Sequence, residues 1–340
     1  MRRVTARKRP AWNYTPELPL RSAPFLHWPL RPVPIARHLV KTWRPLTSRV
    51  LMLGIAFAIW EWARPSLAEA ESLRLGWIAE IWARNIVLLA VVAGGLHLFL
   101  QRHRVQGDGL RYDGRPLTRN KGLFLFNDQV KDNMFLSLVP AMLVATAWET
   151  LGWWAYANGV APHWSFSDNP VWFVVLLGLI PIWSVLYFGA GHWLLHRRPV
   201  YTHVHSWHHR NMNIGPWSGL SMHPLEHVIL YSDILLLLVV PSSPVHMLFA
   251  MMHHTVGAPM SHTGYDAVRL PARQRFELGD FHHQLHHRFI ECNYGGLESP
   301  LDELIGAFHD GTPEGDRIVT ARLHRLSESR HSTPLPPPQR

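Results

Sequence analysis

Residues 171–209 read VWFVVLLGLIPIWSVLYFGAGHWLLHRRPVYTHVHSWHH, and this stretch decides the fold class. Its first part, Val171–Ala190, is an apolar run of about the 20 residues that one bilayer-spanning helix requires. Its second part is rich in histidine at helical spacing. An apolar helix that leads directly into paired histidines predicts a membrane protein with a polar site at one end of its helices.

Further apolar runs lie on both sides of this stretch. Met134–Tyr156 is also long enough to cross a bilayer, whereas Val50–Trp62 and Ile86–Leu100 qualify only with tilt or flanking residues. Val228–Val240 and Val245–Met252 are shorter, which indicates a helical hairpin that dips into the membrane or a pair of buried core helices. The predicted fold is an all-α integral membrane protein, a bundle of about four transmembrane helices plus a shorter helical hairpin, with a histidine-rich helical cap facing the cytoplasm.

The composition of the 340 residues excludes several classes of protein. Hydrophobic residues make up 47% and charged residues 17%, below the roughly 25% charged residues of soluble domains. Disorder over most of the length and a globule with a charged surface are therefore excluded. Cys292 is the only cysteine, so intrachain disulfides and cysteine-based zinc or iron–sulfur sites are excluded as well. Histidine, at 24 residues, is unusually abundant.

The net charge of +9 is concentrated at the N-terminus, where residues 1–49 hold 11 Lys or Arg against the single acid Glu17. Such an arm fits a cytoplasmic anchor beside anionic lipid, or a solvated tail without a partner, better than a nucleic-acid reader. Arg102–Lys131 carries seven Lys or Arg and Asn158–Pro170 carries none. By the positive-inside rule, the N-terminus and every histidine cluster of this multi-pass protein face the cytoplasm.

These patterns divide the chain into four parts. Residues 1–48 form a basic, proline-rich arm, expected to be extended or loosely docked. Residues 49–133 contain the N-terminal membrane helices and a basic loop, and residues 134–315 form a second membrane domain that contains the histidine clusters. Residues 316–340 are predicted to be a flexible tail.

Three histidine clusters have helical spacing: His192–His196, His205–His209 and His283–His287. Within each, the histidines at i, i+3 or i+4 share one helix face, so each cluster is expected to aim its rings at one point. Eight imidazoles exceed what one ion with four to six ligands uses, which predicts a dinuclear site. Imidazole suits zinc, copper, iron and nickel alike, so the residues by themselves leave the metal open.

The order of these motifs resembles the fatty acid hydroxylase/sterol desaturase superfamily. HxxxH at 192–196 and HxxHH at 205–209 precede His223-Pro-Leu-Glu226, and His262-Thr-Gly-Tyr-Asp266 is similar to the family's His-Ser-Gly-Tyr-Asp segment. The second HxxHH, at 283–287, is followed by Asn293-Tyr-Gly295, as in the family. Phe308–Thr312 is similar to the ending of bacterial members, and the resemblance covers about residues 125–315.

The resemblance implies a membrane-bound, non-haem di-iron oxidase that uses O2 as cosubstrate to attack a C–H bond of a lipid. Two Fe ions, with zinc as a substitute metal, would be the cofactors. No catalytic side chain beyond the metal centre is implied. The ligands that carry over are His192, His196, His205, His208, His209, His283, His286 and His287; His262 is added as a ninth and His223 as a tenth candidate.

Other polar residues near the motifs are candidates to hold these imidazoles in place. A carboxylate commonly accepts a hydrogen bond from the second ring nitrogen of a ligating histidine. An ordinary salt bridge to Arg275 or Arg288 is the alternative for the acids, and Asp266 is also a candidate ligand. The candidates are Glu226, Asp266, Asp280, Glu291, Asn293 and Tyr294.

The resemblance leaves hydroxylation and desaturation open, as it does the lipid substrate, the electron donor, the oligomeric state and the exact number of membrane crossings. The lack of a haem-binding His-Pro-Gly-Gly element and the bacterial-type ending favour a hydroxylase served by a separate ferredoxin- or cytochrome-type protein with its reductase. A zinc-dependent membrane hydrolase is an alternative with the same ligands. A metal transporter is disfavoured, because the histidines collect at one face instead of lining a path.

Overall fold

The computed structural model describes residues 11–332, with side chains described through residue 325. This part of the chain is mostly helical, which confirms the predicted all-α class. The helices are α1 Pro32–Trp43, α2 Ser48–Trp62, α3 Leu67–Ala70, α4 Leu75–Leu96, α5 Gln129–Leu136, α6 Met142–Ala157, α7 Pro170–Leu195, α8 Val200–His203, α9 Pro224–Tyr231, α10 Pro244–Thr255, α11 Gly257–Ser261, α12 Phe281–Phe289, α13 Leu301–Leu304 and α14 Pro313–Ser332.

The remaining regular structure consists of two short strands and of 3-10 and π-helical segments. Two strands, β1 Ala267–Arg269 and β2 Arg275–Glu277, pair antiparallel with Val268 opposite Phe276. The 3-10 segments are Pro24–Leu26, His205–Arg210, Pro216–Leu220, Ser232–Leu238 and Pro271–Arg273, and the π-helical segments are His97–Arg102 and Ser137–Ala141. The π-helical segments continue α4 and join α5 to α6, so each forms one long helical rod.

Three helical rods in the described part of the chain are long and apolar enough to cross a bilayer. They are Leu75–Arg102, Gln129–Ala157 and Pro170–Leu195. The run that begins at Val50 forms α2, which has only 15 residues and falls short of the roughly 20 that a span requires. Three rods in the described part of the chain are consistent with the predicted bundle of about four transmembrane helices. The predicted hairpin corresponds to α9, the 3-10 segment Ser232–Leu238 and α10, all of them short.

Helix α10 lies at the centre of the fold, against α2, α6 and α7. Eleven of its 12 residues are buried. Two carboxylates inside apolar runs also face the interior, as their cost in an apolar medium requires. Asp233 lies 2.8 Å from His254 Nε2 of α10, and Glu149 pairs with Arg84. The interior of the bundle therefore contains paired polar groups as well as apolar side chains.

The N-terminal arm is more ordered than the sequence predicts. Residues 32–43, expected to be extended or loosely docked, form α1, and Pro32 and Pro34 lie in its first turn, where a missing N–H costs no intrahelical bond. Upstream of this helix, Trp12 packs edge-to-face on Phe281, with ring centroids 5.0 Å apart. The arm thereby covers the outer side of α12. Residues 1–10 lie outside the described residues.

The C-terminal tail also differs from its prediction. Residues 316–332, predicted to be flexible, continue the helix α14 that begins at Pro313. Val319 is buried in the apolar cluster around Phe281, and Asp316 lies 3.0 Å from His309 Nε2. These contacts stabilise a segment whose composition alone predicts a solvated, flexible tail. Residues 333–340 lie outside the described part.

Candidate metal centre

Four elements of the fold bring histidines to one place: the end of α7, the 3-10 segment His205–Arg210, the end of α11 and helix α12. Helix α12 begins at its N-cap Asp280, whose side chain accepts a hydrogen bond from His283 N at 3.1 Å, and it ends at Ile290 with a positive φ of 69°. All nine residues of α12 are buried, although four are histidines. A buried polar helix requires partners for its polar groups.

The structure brings together nine of the ten predicted histidine ligands. Their ligand atoms form two buried groups, and within each group all of them lie within 4.8 Å of one another. The five-histidine group contains His192, His196, His205, His209 and His286, and the four-histidine group contains His208, His262, His283 and His287.

The two HxxHH motifs divide between the groups, contrary to the expectation that each cluster aims at one point, whereas His192 and His196 of the first cluster both join the five-histidine group. His205 and His209 belong to the five-histidine group, whereas His208 belongs to the four-histidine group. In α12 the pair at i and i+4, His283 and His287, joins the four-histidine group. In α12 the reason is angular, because i and i+4 lie about 40° apart on an α-helix of 3.6 residues per turn and i+3 lies on the other side of i. Each HxxHH motif therefore serves both groups.

The hydrogen bonds of the Nδ1 atoms show which nitrogen of each imidazole is free to bind a metal ion. Nδ1 of His192 lies 2.6 Å from the carbonyl O of Tyr294, and Nδ1 of His286 lies 2.6 Å from that of Cys292. In the four-histidine group, Nδ1 of His262 lies 2.9 Å from the carbonyl O of Ala258. Because a carbonyl oxygen only accepts, each Nδ1 carries the hydrogen and each Nε2 presents a bare lone pair.

These lone pairs face one another across short distances. Nε2 of His209 lies 3.0 Å from Nε2 of both His205 and His286, and Nε2 of His262 lies 3.1 Å from that of His283. Bare lone pairs at such distances repel unless a shared cation lies among them. The donor set therefore fits a metal ion in each group. Five imidazoles also exceed the four ligands of a closed structural zinc site.

Burial keeps these imidazoles in the form that binds metal. Removal from water lowers the pKa of His205 and His286 well below the usual range and lowers the pKa of His208 to about 4. The groups are therefore neutral near physiological pH, and a neutral imidazole is the metal-ligating form.

His223 is the one predicted ligand that lies outside both groups. Its Nδ1 accepts a hydrogen bond from Leu225 N at 3.2 Å, so it caps α9, and its ring packs edge-to-face on Trp207 at 4.8 Å. The cap uses the imidazole nitrogen nearest the helix. A histidine directly before Pro224 at a helix start accounts for this placement without a metal.

Of the predicted supporting acids, Glu226 contacts an imidazole of the two groups. Its Oε1 lies 2.7 Å from Nδ1 of His205, and its side chain is buried. Asp266 instead accepts hydrogen bonds from the hydroxyls of Tyr112 at 3.1 Å and Tyr14 at 3.3 Å. Glu226 is therefore the carboxylate that holds the tautomer of a histidine in the five-histidine group.

The other supporting candidates act on the backbone around α12. Asp280 caps the helix, and Glu291 accepts a hydrogen bond from the hydroxyl of Tyr294 at 2.8 Å. Asn293, at a positive φ of 54°, donates to the carbonyl oxygens of His282 and His309. Tyr294 contacts His192 through its backbone carbonyl, a role that its side chain does not reveal.

With iron as the metal, replacement of Glu226 by alanine is expected to weaken its binding by about 10- to 100-fold, because His205 then loses the acceptor that fixes its ring. Competition for iron against a chelator of known affinity measures the change. Asp266→Asn is the matched control, since Asp266 contacts tyrosines and no histidine of the two groups. Equal iron affinity in the two variants would contradict the role of Glu226.

Sequence reasoning missed most of the groups that orient the imidazoles. They are the carbonyl oxygens of Cys292, Ser221 and Ala258, together with that of Tyr294, a residue that the sequence does indicate as a supporting candidate. A backbone carbonyl is present at every residue, so no side-chain pattern marks these positions. Only the fold brings them to the rings.

A cavity of about 240 Å³ opens onto both groups. His192 and His205 of the five-histidine group line it, as do His208, His262 and His283 of the four-histidine group. The remaining wall is mainly apolar and includes Met52, Val185, Phe188, Leu195, Met222, Ile229 and Leu230. An apolar chamber with a few converging polar groups is typical of a binding site for a small apolar molecule.

Curated relatives match much of the chain. Fatty acid hydroxylase domain-containing protein 2 of Macaca fascicularis is 30% identical over 233 residues, 66% of this chain and 62% of the relative. A Delta(7)-sterol 5(6)-desaturase of Gibberella zeae is 26% identical over 158 residues, 44% of this chain and 46% of the relative. Methylsterol monooxygenase 1 of Gallus gallus is 25% identical over 213 residues, 61% of this chain and 67% of the relative. The chain thus spans less than two thirds of the length of the first two relatives.

The family comparison agrees with these relatives. Residues 175–307 match the family model for fatty acid hydroxylase, and no solved structure matches the chain significantly. The matched region contains every histidine of the two groups. The match of residues 175–307 and the three relatives together support the fatty acid hydroxylase/sterol desaturase superfamily.

Proposed function

We propose that this protein is a membrane-bound di-iron oxidase that uses O2 to hydroxylate a C–H bond of a lipid. The proposal rests on one observation, that two buried histidine groups open onto one apolar cavity. The nine histidines of the two groups are the proposed iron ligands, and residues 134–315 are the proposed catalytic domain. When bound, the iron pair supplies the activation of O2 and the oxidation of the C–H bond.

The residues of the chain orient the imidazole rings, bind the substrate and shield the site from water. Hydrogen bonds from Nδ1 fix the rings of His192, His262 and His286 on backbone carbonyls, so their Nε2 lone pairs are aimed before a metal arrives. The apolar wall, with Phe188 beside the ring of His192 at 4.9 Å, excludes water and holds an aliphatic substrate against the site. Exclusion of water protects the oxidising site from side reactions.

The names of the relatives support an oxidative reaction on a lipid and include both reaction outcomes. The family model is named for hydroxylation, one relative is named a methylsterol monooxygenase, and another is named a sterol desaturase. Hydroxylation places one oxygen atom of O2 in the lipid and releases the other as water, so it consumes an electron pair. We therefore propose a separate ferredoxin- or cytochrome-type donor with its reductase.

We also propose an orientation in the membrane, with the N-terminus and the histidine groups on the cytoplasmic side. The three apolar rods and the family support a membrane protein. The basic stretch Arg102–Lys131 and the basic N-terminal arm support a cytoplasmic location for the N-terminus and for the histidine groups. A cytoplasmic site would be accessible to a soluble electron donor.

Comparative lipidomics tests the proposed reaction. One host expresses the chain together with an electron-donor system, and a second host expresses the His286→Ala variant with the same system. We expect a lipid that gains one oxygen atom only with the intact chain. A lipid that loses two hydrogens would show a desaturase instead.

Growth under 18O2 is the matched control, since a hydroxyl that derives from O2 carries the label and one that derives from water does not. A cleaved lipid without incorporated label, formed without iron or reductant, would support the zinc hydrolase alternative. Identical lipidomes from the two hosts, with the intact chain expressed and loaded with iron, would contradict the proposal.

A further inference from the structure

A second cavity, of about 220 Å³, is formed where the N-terminal arm meets strand β2. Its wall consists of the end of α1, the turn that follows it, the first two residues of α2, and β2. It shares no lining residue with the cavity at the histidine groups. We call it the basic cavity, because four of its ten lining residues are lysine or arginine and one is acidic: Lys41, Arg44, Arg49, Arg275 and Glu277.

Two of these cations already have a carboxylate partner. Arg49 forms a salt bridge with Glu298, and Nζ of Lys41 lies 3.3 Å from Oε1 of Glu277. The second pair is exposed, with 56% of the lysine side chain and 61% of the glutamate side chain accessible to water, so it is weak. The one acid of the wall is thus engaged by Lys41, and the wall provides no acid for its other two cations.

These two cations, Arg44 and Arg275, are exposed, and neither forms a salt bridge within the part of the chain that the structure describes. The side chain of Arg275 lies near the hydroxyl of Tyr14, which is an uncharged group. Two guanidinium groups at one small cavity repel each other, and an anion between them removes this repulsion. Guanidinium donates paired hydrogen bonds to phosphate oxygens, so the basic cavity suits a phosphate group.

The surface around the basic cavity is apolar. Leu46 lines the cavity and is 56% exposed. On α1, the side chains of Val33, Leu39 and Val40 are exposed as well. At about 100° per residue these three lie within roughly 120° of one another on the helix, and Lys41 lies beside them. An exposed apolar sector next to basic residues is typical of a helix in the interface of a membrane.

Helix α2 extends this apolar surface away from the basic cavity. It begins at Ser48, in the cavity wall, and its residues 50–60 contain no charged side chain. Leu51 and Phe57 of this stretch are exposed. The outer side of α2 therefore suits contact with lipid chains. The basic cavity then lies at the polar end of α2, where the headgroup of such a lipid would be.

We propose that the basic cavity binds the phosphate group of an anionic membrane phospholipid, with Arg44 and Arg275 as its ligands. The exposed apolar side chains of α1 and α2 contact the acyl chains of this lipid. A soluble phosphate would account for the two cations, but not for the exposed Leu46 and Val40 beside them. The inference goes beyond the proposed function, since it requires no reaction of the bound lipid. The lipid joins the N-terminal arm to β2 through one headgroup.

Native mass spectrometry of the delipidated full-length chain in a mild detergent tests this site. Dioleoyl phosphatidylglycerol is the anionic probe, and dioleoyl phosphatidylcholine, whose ammonium group offsets the phosphate charge, is the zwitterionic one. We expect the native chain to bind phosphatidylglycerol about 10-fold more tightly than phosphatidylcholine, as the attraction of two cations near a membrane surface allows. In the double variant Arg44→Gln/Arg275→Gln this preference should fall below about 2-fold.

The matched control is Arg37→Gln/Arg273→Gln, which removes the same net charge. Both residues are exposed and neither lines the basic cavity, so the preference should remain. The thermal midpoint of each variant shows whether the fold is intact. Millimolar sodium phosphate, compared with sodium chloride at equal ionic strength, should not displace phosphatidylglycerol from the native chain.

Three outcomes would overturn the proposal. The first is an unchanged preference in Arg44→Gln/Arg275→Gln, and the second is an equal loss in the control variant, which would show a general effect of charge. The third is displacement of the lipid by inorganic phosphate, which would make the basic cavity a site for a soluble anion. None of these outcomes depends on iron or on oxidation of a lipid, so the proposed function would be unaffected by them.

Discussion

Under the proposed di-iron function, the His286→Ala variant is expected to bind the ion of the five-histidine group more than about 100-fold more weakly, so that it is purified with fewer than two iron ions per chain, and to lose more than about 100-fold of its activity. His286 Nε2 lies 3.0 Å from Nε2 of His209, and its Nδ1 is fixed on the carbonyl oxygen of Cys292. Alanine removes one ligand of the five-histidine group, and loss of a ligand costs more than the 10- to 100-fold that loss of a supporting hydrogen bond costs. Elemental analysis of purified protein and product formation per chain measure the two effects.

The His223→Ala variant tests whether a histidine that belongs to a motif is also a metal ligand. His223 stands in the His-Pro-Leu-Glu motif and was the tenth candidate ligand, but its imidazole caps α9. Its loss should leave the iron content unchanged and cost about 1 kcal/mol of stability, as loss of a helix cap does. If His223→Ala lost iron to the same extent as His286→Ala, the division of the nine histidines into two groups would be incomplete.

The sequence predicts the helical class and the identity of the histidines well, because both depend on local patterns. Long apolar runs can be recognised along the chain, and the histidines at helical spacing lie in segments that the fold brings together. The spacing of the histidines does not show to which of the two groups each ring belongs. That assignment depends on how the end of α7 and the 3-10 segment approach α12, which is a matter of tertiary packing.

Two further limits of the sequence have physical causes. Supporting acids such as Asp266 and Glu226 look alike in the sequence, and only the fold shows that one contacts tyrosines and the other His205. The second limit is length, because the apolar run Val50–Trp62 spans a bilayer only with flanking residues, and the structure shows that its helix α2 ends at Trp62 with 15 residues.

Gly219→Ala is expected to disrupt the four-histidine group although Gly219 carries no side chain. A Cβ at this position would lie 2.4 Å from the carbonyl oxygen of Ala258. That oxygen is the acceptor for Nδ1 of His262 at 2.9 Å. The obstacle is backbone, which cannot rotate away as a flexible side chain does. The carbonyl must therefore shift and release the ring of His262.

The expected result of Gly219→Ala is an iron content of about one ion per chain and a lower thermal midpoint, since overpacking against a fixed backbone costs roughly 1–3 kcal/mol. Gly95→Ala, within α4, is the matched control, because a Cβ there meets nothing within 4 Å. It should keep both iron ions and its thermal midpoint. Combined with His286→Ala, Gly219→Ala should remove nearly all iron, because the two changes act on different groups. A double variant that retained one ion would show that the two histidine groups do not bind metal separately.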